Sequence, residues 1–291
     1  TDKPDLRNPL ILQDVTEIFE NSDFRAFKEK TIKAIKINSK DVSRRFFDSM
    51  VDFAISNLGL KGLAWIRLDN DKNLTGTISK FVTSEMLDSL KAKLDFKEEE
   101  AIFFIADEYL KACSNAGDIR IELGNRLDLL EKNVYRFCFV NDFPMYELND
   151  DGKIEFNHNP FSMPVGGMDS LENKNPLDII AYQFDMVCNG YELASGAVRN
   201  HDTDIMIKAF EIAGYTEEDV KRRFGSLFNA FSYGAPPHAG AAPGIDRMIM
   251  LLLEENNIRE VIAFPKNSKA RDVLMKAPSV VSDEQLRDVH I

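Results

Sequence analysis

Two carboxylates and two guanidiniums in the second half of the chain have the side-chain types that chemistry on phosphates and carboxylates requires. Asp185 and Glu192 flank Asn189-Gly190, the strongest short hairpin signal a sequence offers. A two-residue turn there pairs Cys188 with Tyr191 and Val187 with Glu192. Side chains alternate across a strand, so Asp185, Val187, Glu192 and Ala194 are expected on one face, with the two carboxylates as diagonal neighbours. Carboxylates at that separation repel, share a proton or hold a divalent cation. The plainer alternative is two solvated charges on an exposed sheet. Arg199 follows Glu192 by seven positions, an odd spacing that puts it on the far face unless the strand bulges. The run Ala194-Ser195-Gly196-Ala197 is where a bulge is cheap, because small residues tolerate it. With a bulge, Arg199 joins Asp185 and Glu192 in one cleft; without one, it is solvated behind the sheet.

The stretch HAGAAPGIDRMIMLLL, from His238 to Leu253, sets small residues directly before apolar ones. If Gly244 opens a helix, Asp246 suits its first turn, whereas Arg247 costs a few tenths of a kcal/mol there unless an anion is near. His158, in FNHNPF, sits in a polar extended segment, and periodicity gives it no special role.

The elements around these residues change character along the chain. From about Asp23 to Leu127, strand-like runs (31–37, 62–68, 101–107) alternate with helical ones (43–59 behind Ser43, 83–94, and one helix or two over 107–127), which suggests a compact α/β module. From Lys132 to Pro265 the pattern is an antiparallel sheet with flanking helices, an α+β arrangement. It comprises a strand broken at Pro144, an extended run over 153–161, a loop over 162–176 and the hairpin. Helices over 203–214 and 216–234, the helix behind Gly244 and a last strand over 259–265 complete it. Bulk properties frame this reading. The 291 residues hold 44% apolar and 29% charged residues, which is ordinary for a globular protein with a real core. The net charge of −12 argues against a surface built on phosphate contacts along nucleic acid, but leaves room for a local basic pocket. No apolar run approaches membrane-spanning length and TDKPDLRNPL carries no signal-peptide core, so no membrane association is expected. Cys113, Cys138 and Cys188 show no CxxC spacing, which predicts reduced thiols and a cytoplasmic protein without a zinc site.

Together these segments resemble a known family. PPHAGAAPGIDR (236–247) resembles motif 3 of the class II aminoacyl-tRNA synthetases. NGYELASGAVRNH (189–201), HNPF (158–161), NDFPMYE (141–147) and IREVIAFPK (258–266) resemble the bacterial aspartyl-tRNA synthetases in particular. TDKPDLRNP matches the segment following motif 2, and Asp23–Leu127 resembles the inserted α/β module of those enzymes, the GAD domain. The resemblance implies three regions: residues 1–22 as a connecting segment of the catalytic domain, 23–130 as the GAD-like insertion, and 131–291 as the motif 3 half of the class II catalytic domain. It implies that Arg247 binds the γ-phosphate of a bent ATP, where a guanidinium fork suits phosphate oxygens. It places Gly244 under the adenine, with Ile245 and Asp246 completing the ATP-contacting segment. Glu192 contacts ATP partly through Mg2+, Asp185 is a second metal-binding carboxylate, and Ser195 matches a metal-ligand hydroxyl of some relatives. Arg199 clamps the side-chain carboxylate of L-aspartate, and His158 closes over the amino acid. The implied reaction joins the aspartate α-carboxylate to the α-phosphate of ATP, then passes the aspartyl group to the 3′-terminal adenosine of tRNA(Asp), with tRNA(Asn) left open. The full-length enzyme is expected to be a homodimer.

The resemblance does not extend to the anticodon-reading OB-fold, motif 1 or motif 2. The sequence is therefore expected to be a truncated chain, a truncated gene or one part of a split enzyme, with apolar sheet edges exposed. A non-catalytic synthetase-like paralogue that binds nucleotide or tRNA is the alternative, as is an asparagine-specific relative. A polypeptide of these 291 residues alone should give no aspartate-dependent pyrophosphate exchange. Turnover above background in that assay would contradict the expectation.

Overall fold

A computed structural model describes residues 3–291, and it divides into two compact units between Arg136 and Phe137. In the first, a sheet is built from Leu12–Asp14 (β1), Thr31–Asn38 (β2), Ala64–Leu68 (β3), Leu74–Gly76 (β4) and Glu100–Asp107 (β5). Helices Arg44–Leu58 (α1), Ser84–Leu94 (α2) and Tyr109–Arg126 (α3) connect the strands, and the run over 107–127 is thus one helix. The caps are those the sequence offers. The Ser43 hydroxyl accepts from the Phe46 N–H, Thr83 accepts from Met86, and Gly59 closes α1 in the left-handed region at φ 68°.

The alternation of strands and helices suggested an α/β module, yet every hydrogen-bonded strand pair is antiparallel. The order β1-β2-β5-β3-β4 shows why: β5 inserts between β2 and β3, so the β2–α1–β3 crossover straddles a strand, a split β-α-β arrangement. Helices α1 and α3 cover one face, over Ile35, Phe103 and Trp65; α2 covers the other, over Ile32, Ile66 and Phe104. Burial on both faces accounts for the almost unbroken apolar run of β5. Residues 1–22 were assigned above to the other domain. The first two lie outside the described residues, and much of the remainder is built into this unit. β1 extends the sheet alongside β2, and the Arg120 guanidinium donates to the carbonyls of Leu10 (2.5 Å), Asn8 (2.6 Å) and Asp5 (3.1 Å).

The second unit holds Phe137–Pro144 (β6), Tyr146–Leu148 (β7), Ile154–Phe156 (β8), Ile180–Cys188 (β9), Tyr191–Val198 (β10) and Ala239–Pro243 (β11). Its helices are Gly167–Asn173 (α4), Thr203–Ile212 (α5), Glu217–Ser232 (α6), Ile245–Leu252 (α7) and Asp283–Asp288 (α8). The main sheet runs β11-β10-β9-β6, antiparallel throughout, in keeping with the expected α+β arrangement. Two local expectations fail, and one strand was not foreseen. The loop over 162–176 contains α4, entered through Gly166 and Gly167 at positive φ. Residues 259–265 form no strand, only the single turn Ile258–Glu260 followed by irregular backbone, because no partner strand lies beside them. The small-residue run before Gly244 is itself a strand, β11, despite its poor β-propensity. The sheet also leaves aromatic side chains in the open: Phe137, Phe139 and Tyr182 are 57%, 62% and 49% exposed. The exposure expected at the edges is therefore found on a sheet face as well.

Behind the sheet, α4 and α5 pack with Met145, Tyr146, Ile179 and Ala181. The Tyr146 hydroxyl, buried there, donates to the Ala209 carbonyl at 2.9 Å, and burial pushes its ionisation above the usual tyrosine range. Replacing it with phenylalanine should cost about 1 kcal/mol, read as a lower midpoint in denaturant. Because the folded phenol holds its proton more tightly than the unfolded one, its share of stability is complete below the unfolded value of about 10 and falls as pH rises past it. Stability of Tyr146→Phe should therefore fall less steeply above about pH 10 than that of the parent.

Candidate functional site

The hairpin forms as its sequence requires. Asn189 and Gly190 both take positive φ, 51° and 86°, as a type I′ turn demands, and Glu192 pairs with Val187. Then the register shifts. Ala194 pairs with Met186 and Ser195 with Asp185, so the bulge falls at Leu193, just before the stretch where it was expected. One extra residue reverses the facing of everything after it. Ala194 therefore leaves the predicted face, and Ser195 stands opposite Asp185 in its place. Continued alternation puts Ala197 and Arg199 on the face of Asp185 and Glu192, which a regular strand would not do.

The bulge also anchors α7. The Leu193 carbonyl accepts from the Gly244 N–H at 2.7 Å, and the Glu192 carbonyl accepts from Arg247 Nη1 at 2.8 Å. The same Nη1 lies 3.4 Å from the Glu192 carboxylate. The cation that looked misplaced in a first helical turn thus has an anion beside it. Gly244 itself has room: a Cβ there would meet nothing nearer than the Leu193 carbonyl at 3.5 Å, so the chain's own packing does not demand glycine. Ile245 and Asp246 follow on the exposed side of α7.

Arg199 is fixed through its backbone, its N–H donating to the His238 carbonyl at 2.9 Å. Its guanidinium passes over Gly240, where a Cβ would stand 3.8 Å from Nη2. That side chain makes no hydrogen bond or ion pair among the described residues. Asp185 is only 8% exposed and its carboxylate is likewise without a hydrogen bond or ion pair. A buried carboxylate and a half-buried guanidinium, both unpartnered, are costly unless something outside the chain satisfies them. His158 is exposed, its ring edge-on to Phe143 at 5.1 Å, and no hydrogen bond or ion pair joins it to Arg199. The loop that follows it does run along β10: Met163 donates to Val198 at 2.9 Å and Asn200 to Phe161 at 2.8 Å.

Gln183 escaped the sequence reading. It pairs with Ala197, two residues before Asp185 on the same face, and its buried Nε2 has no partner. The period-two spacing from Asp185 was the available signal. Among the described residues no group of three or more His, Cys, Asp or Glu side chains could hold a metal ion. The donors Asp185, Glu192 and Ser195 are all oxygens, however, which suits Mg2+ held by a few carboxylates together with substrate phosphates and water.

The family model described as tRNA synthetases class II (D, K and N) matches residues 1–268. The chain belongs to that family. It is 52% identical, over its whole length, to the aspartate–tRNA(Asp/Asn) ligase of Rickettsia akari and to the aspartate–tRNA ligase of Streptomyces coelicolor, and spans 50% of each. The chain thus spans about half the length of these class II relatives. Among solved structures, the aspartyl-tRNA synthetase of Entamoeba histolytica aligns with 84% of this chain and 44% of its own, at 18% identity and a TM-score of 0.37.

The bulged ribbon sets a strict limit on Gly196. A Cβ there would strike the Phe184 ring and stand 2.8 Å from the Gly240 carbonyl, and backbone cannot step aside as a side chain can. Gly196→Ala should cost about 1–3 kcal/mol, seen as a lower melting temperature. Gly225→Ala, where a Cβ meets nothing within 4 Å, should leave the melting temperature unchanged or raised.

Proposed function

We propose that this chain provides the ATP- and aspartate-binding face of an aspartate–tRNA ligase. The observation that carries the reading is the pairing of unmet needs on one sheet face: an unpartnered Arg199 guanidinium and an unpartnered buried Asp185 carboxylate, beside a Glu192 already joined to Arg247. Arg199 offers a planar fork to the side-chain carboxylate of L-aspartate, and two parallel bonds distinguish that carboxylate from an amide. His158 closes over the amino acid from its loop. Arg247 turns from the Glu192 carbonyl and carboxylate, which its Nη1 meets, to the γ-phosphate of ATP. The free space at Gly244 receives the adenine, with Ile245 and Asp246 alongside. Asp185, Glu192 and Ser195 hold Mg2+, which neutralises phosphate charge when bound.

In this reading the side chains position and neutralise; none forms a covalent intermediate. The aspartate α-carboxylate attacks the α-phosphate of ATP, releasing pyrophosphate, and the terminal ribose hydroxyl of tRNA(Asp), or of tRNA(Asn) if the enzyme accepts both, then attacks the aspartyl carbonyl of the adenylate, releasing AMP. The rate advantage comes from held geometry and from cations placed where charge develops. Cys113, Cys138 and Cys188, none of them in a disulfide, fit a reducing compartment such as the cytoplasm.

Calorimetry with ATP·Mg2+ tests this directly. The parent chain should bind saturably, and Arg247→Ala should bind about tenfold to a hundredfold more weakly, the worth of a charged hydrogen bond to phosphate. Arg199→Lys should leave that affinity intact while weakening aspartate. Equal ATP affinity in the parent and Arg247→Ala would overturn the proposal.

A further inference from the structure

The first unit contains a cavity of about 670 Å3, lined wholly by its own residues and within the size range of small-molecule sites. Phe24, Phe27, Leu63 and Ile105 give it apolar walls. Its lining also carries four cations, Arg25, Lys28, Lys30 and Lys61, against one acid, Asp107. That acid already lies 3.7 Å from Lys30. The side chains of Arg25, Lys28 and Lys61 make no hydrogen bond or ion pair among the described residues. Some other lysines of the same unit are paired, Lys33 with Asp14, Lys36 with Glu100 and Lys93 with Glu17, while Lys80 and Lys91 away from the cavity are not. In a chain of net charge −12, carboxylates are plentiful, yet three cations at one cavity have none.

The local structure explains how both halves of the lining arise. The single turn Arg25–Phe27 buries Phe27 to 4% exposure and leaves Arg25 in the open, so one turn supplies both wall and charge. On the other side, α1 ends at Gly59 in the left-handed region, and the reversal brings exposed Lys61 and buried Leu63 to the cavity from one short loop.

We infer that this cavity binds a small organic anion with an aromatic body and a phosphate monoester head. The apolar walls take the ring. The uncompensated ammonium and guanidinium groups take a head whose charge of about −1.5 to −2 matches an excess of cations better than a single carboxylate does. This site is distinct in its residues from the face proposed to bind ATP and aspartate, and its test does not depend on that face.

The test is a titration of the whole chain, 13C-labelled at Ile, Leu and Val methyls, with 1-naphthyl phosphate. Methyl signals of Leu63 and Ile105 should shift saturably. Neutral 1-naphthol and inorganic phosphate should each bind at least about tenfold more weakly, since each lacks one half of the recognition. Lys28→Glu combined with Lys61→Glu should weaken the naphthyl ester by at least about tenfold, with the remaining spectrum preserved because both side chains are exposed and unpaired. Arg247→Ala should leave these shifts unchanged, which separates failure here from failure of the ATP site. Absence of saturable shifts, equal binding of naphthol, or an unaltered affinity in the double variant would overturn the inference.

Discussion

Two carbonyls at one bulge organise the second unit. The extra residue at Leu193 shifts the β9–β10 register, and the Leu193 carbonyl continues the β10–β11 pairing one step beyond Ala194–Pro243. The Gly244 N–H takes the Leu193 carbonyl and Arg247 takes that of Glu192. A helix start has N–H groups without intrahelical partners, so it and the bulge satisfy each other's backbone. This coupling fixes where α7 begins, and with it the direction of Arg247. It also sets the parity of β10, and so decides that Arg199 faces the same side as Asp185. One inserted residue thus places cations from two elements and a carboxylate from a third.

The small residues around the bulge follow from the same constraint. β11 must approach β10 closely along Gly196 and Gly240, and Phe184 fills the space beneath Gly196. Over Gly240 the missing side chain leaves the path of the Arg199 guanidinium clear. Gly196 adopts ordinary backbone angles; it is required by contact rather than by conformation. At Gly240 and Gly244 a Cβ would meet only ordinary contacts, none nearer than 3.8 and 3.5 Å.

Much of the fold was readable because its signals are local. The caps at Ser43, Thr83 and Thr216 each need only a hydroxyl and the next turn of backbone. The Asn189-Gly190 turn needs two residues able to take positive φ, and the pairing Glu192–Val187 follows from it. What misled was partnership across distance. The run over 259–265 has strand-like residues but no strand beside it, whereas Ala239–Pro243 has poor strand residues and a partner that makes it one. The first unit was legible as an α/β module, but the place of β5 between β2 and β3 was not.

By itself, then, the sequence determined the hairpin, the helix termini and the set of charged residues worth watching, since hydrogen bonds within a few residues and the period of apolar positions suffice for those. Its motifs also pointed to the synthetase family. Tertiary structure alone decided the position of the bulge, the company Arg247 keeps, the inclusion of Gln183 on the same face as Arg199 and the burial of Asp185. Each depends on which carbonyl a distant N–H can reach and which strand lies alongside, and those are choices made only when the whole sheet closes against its helices.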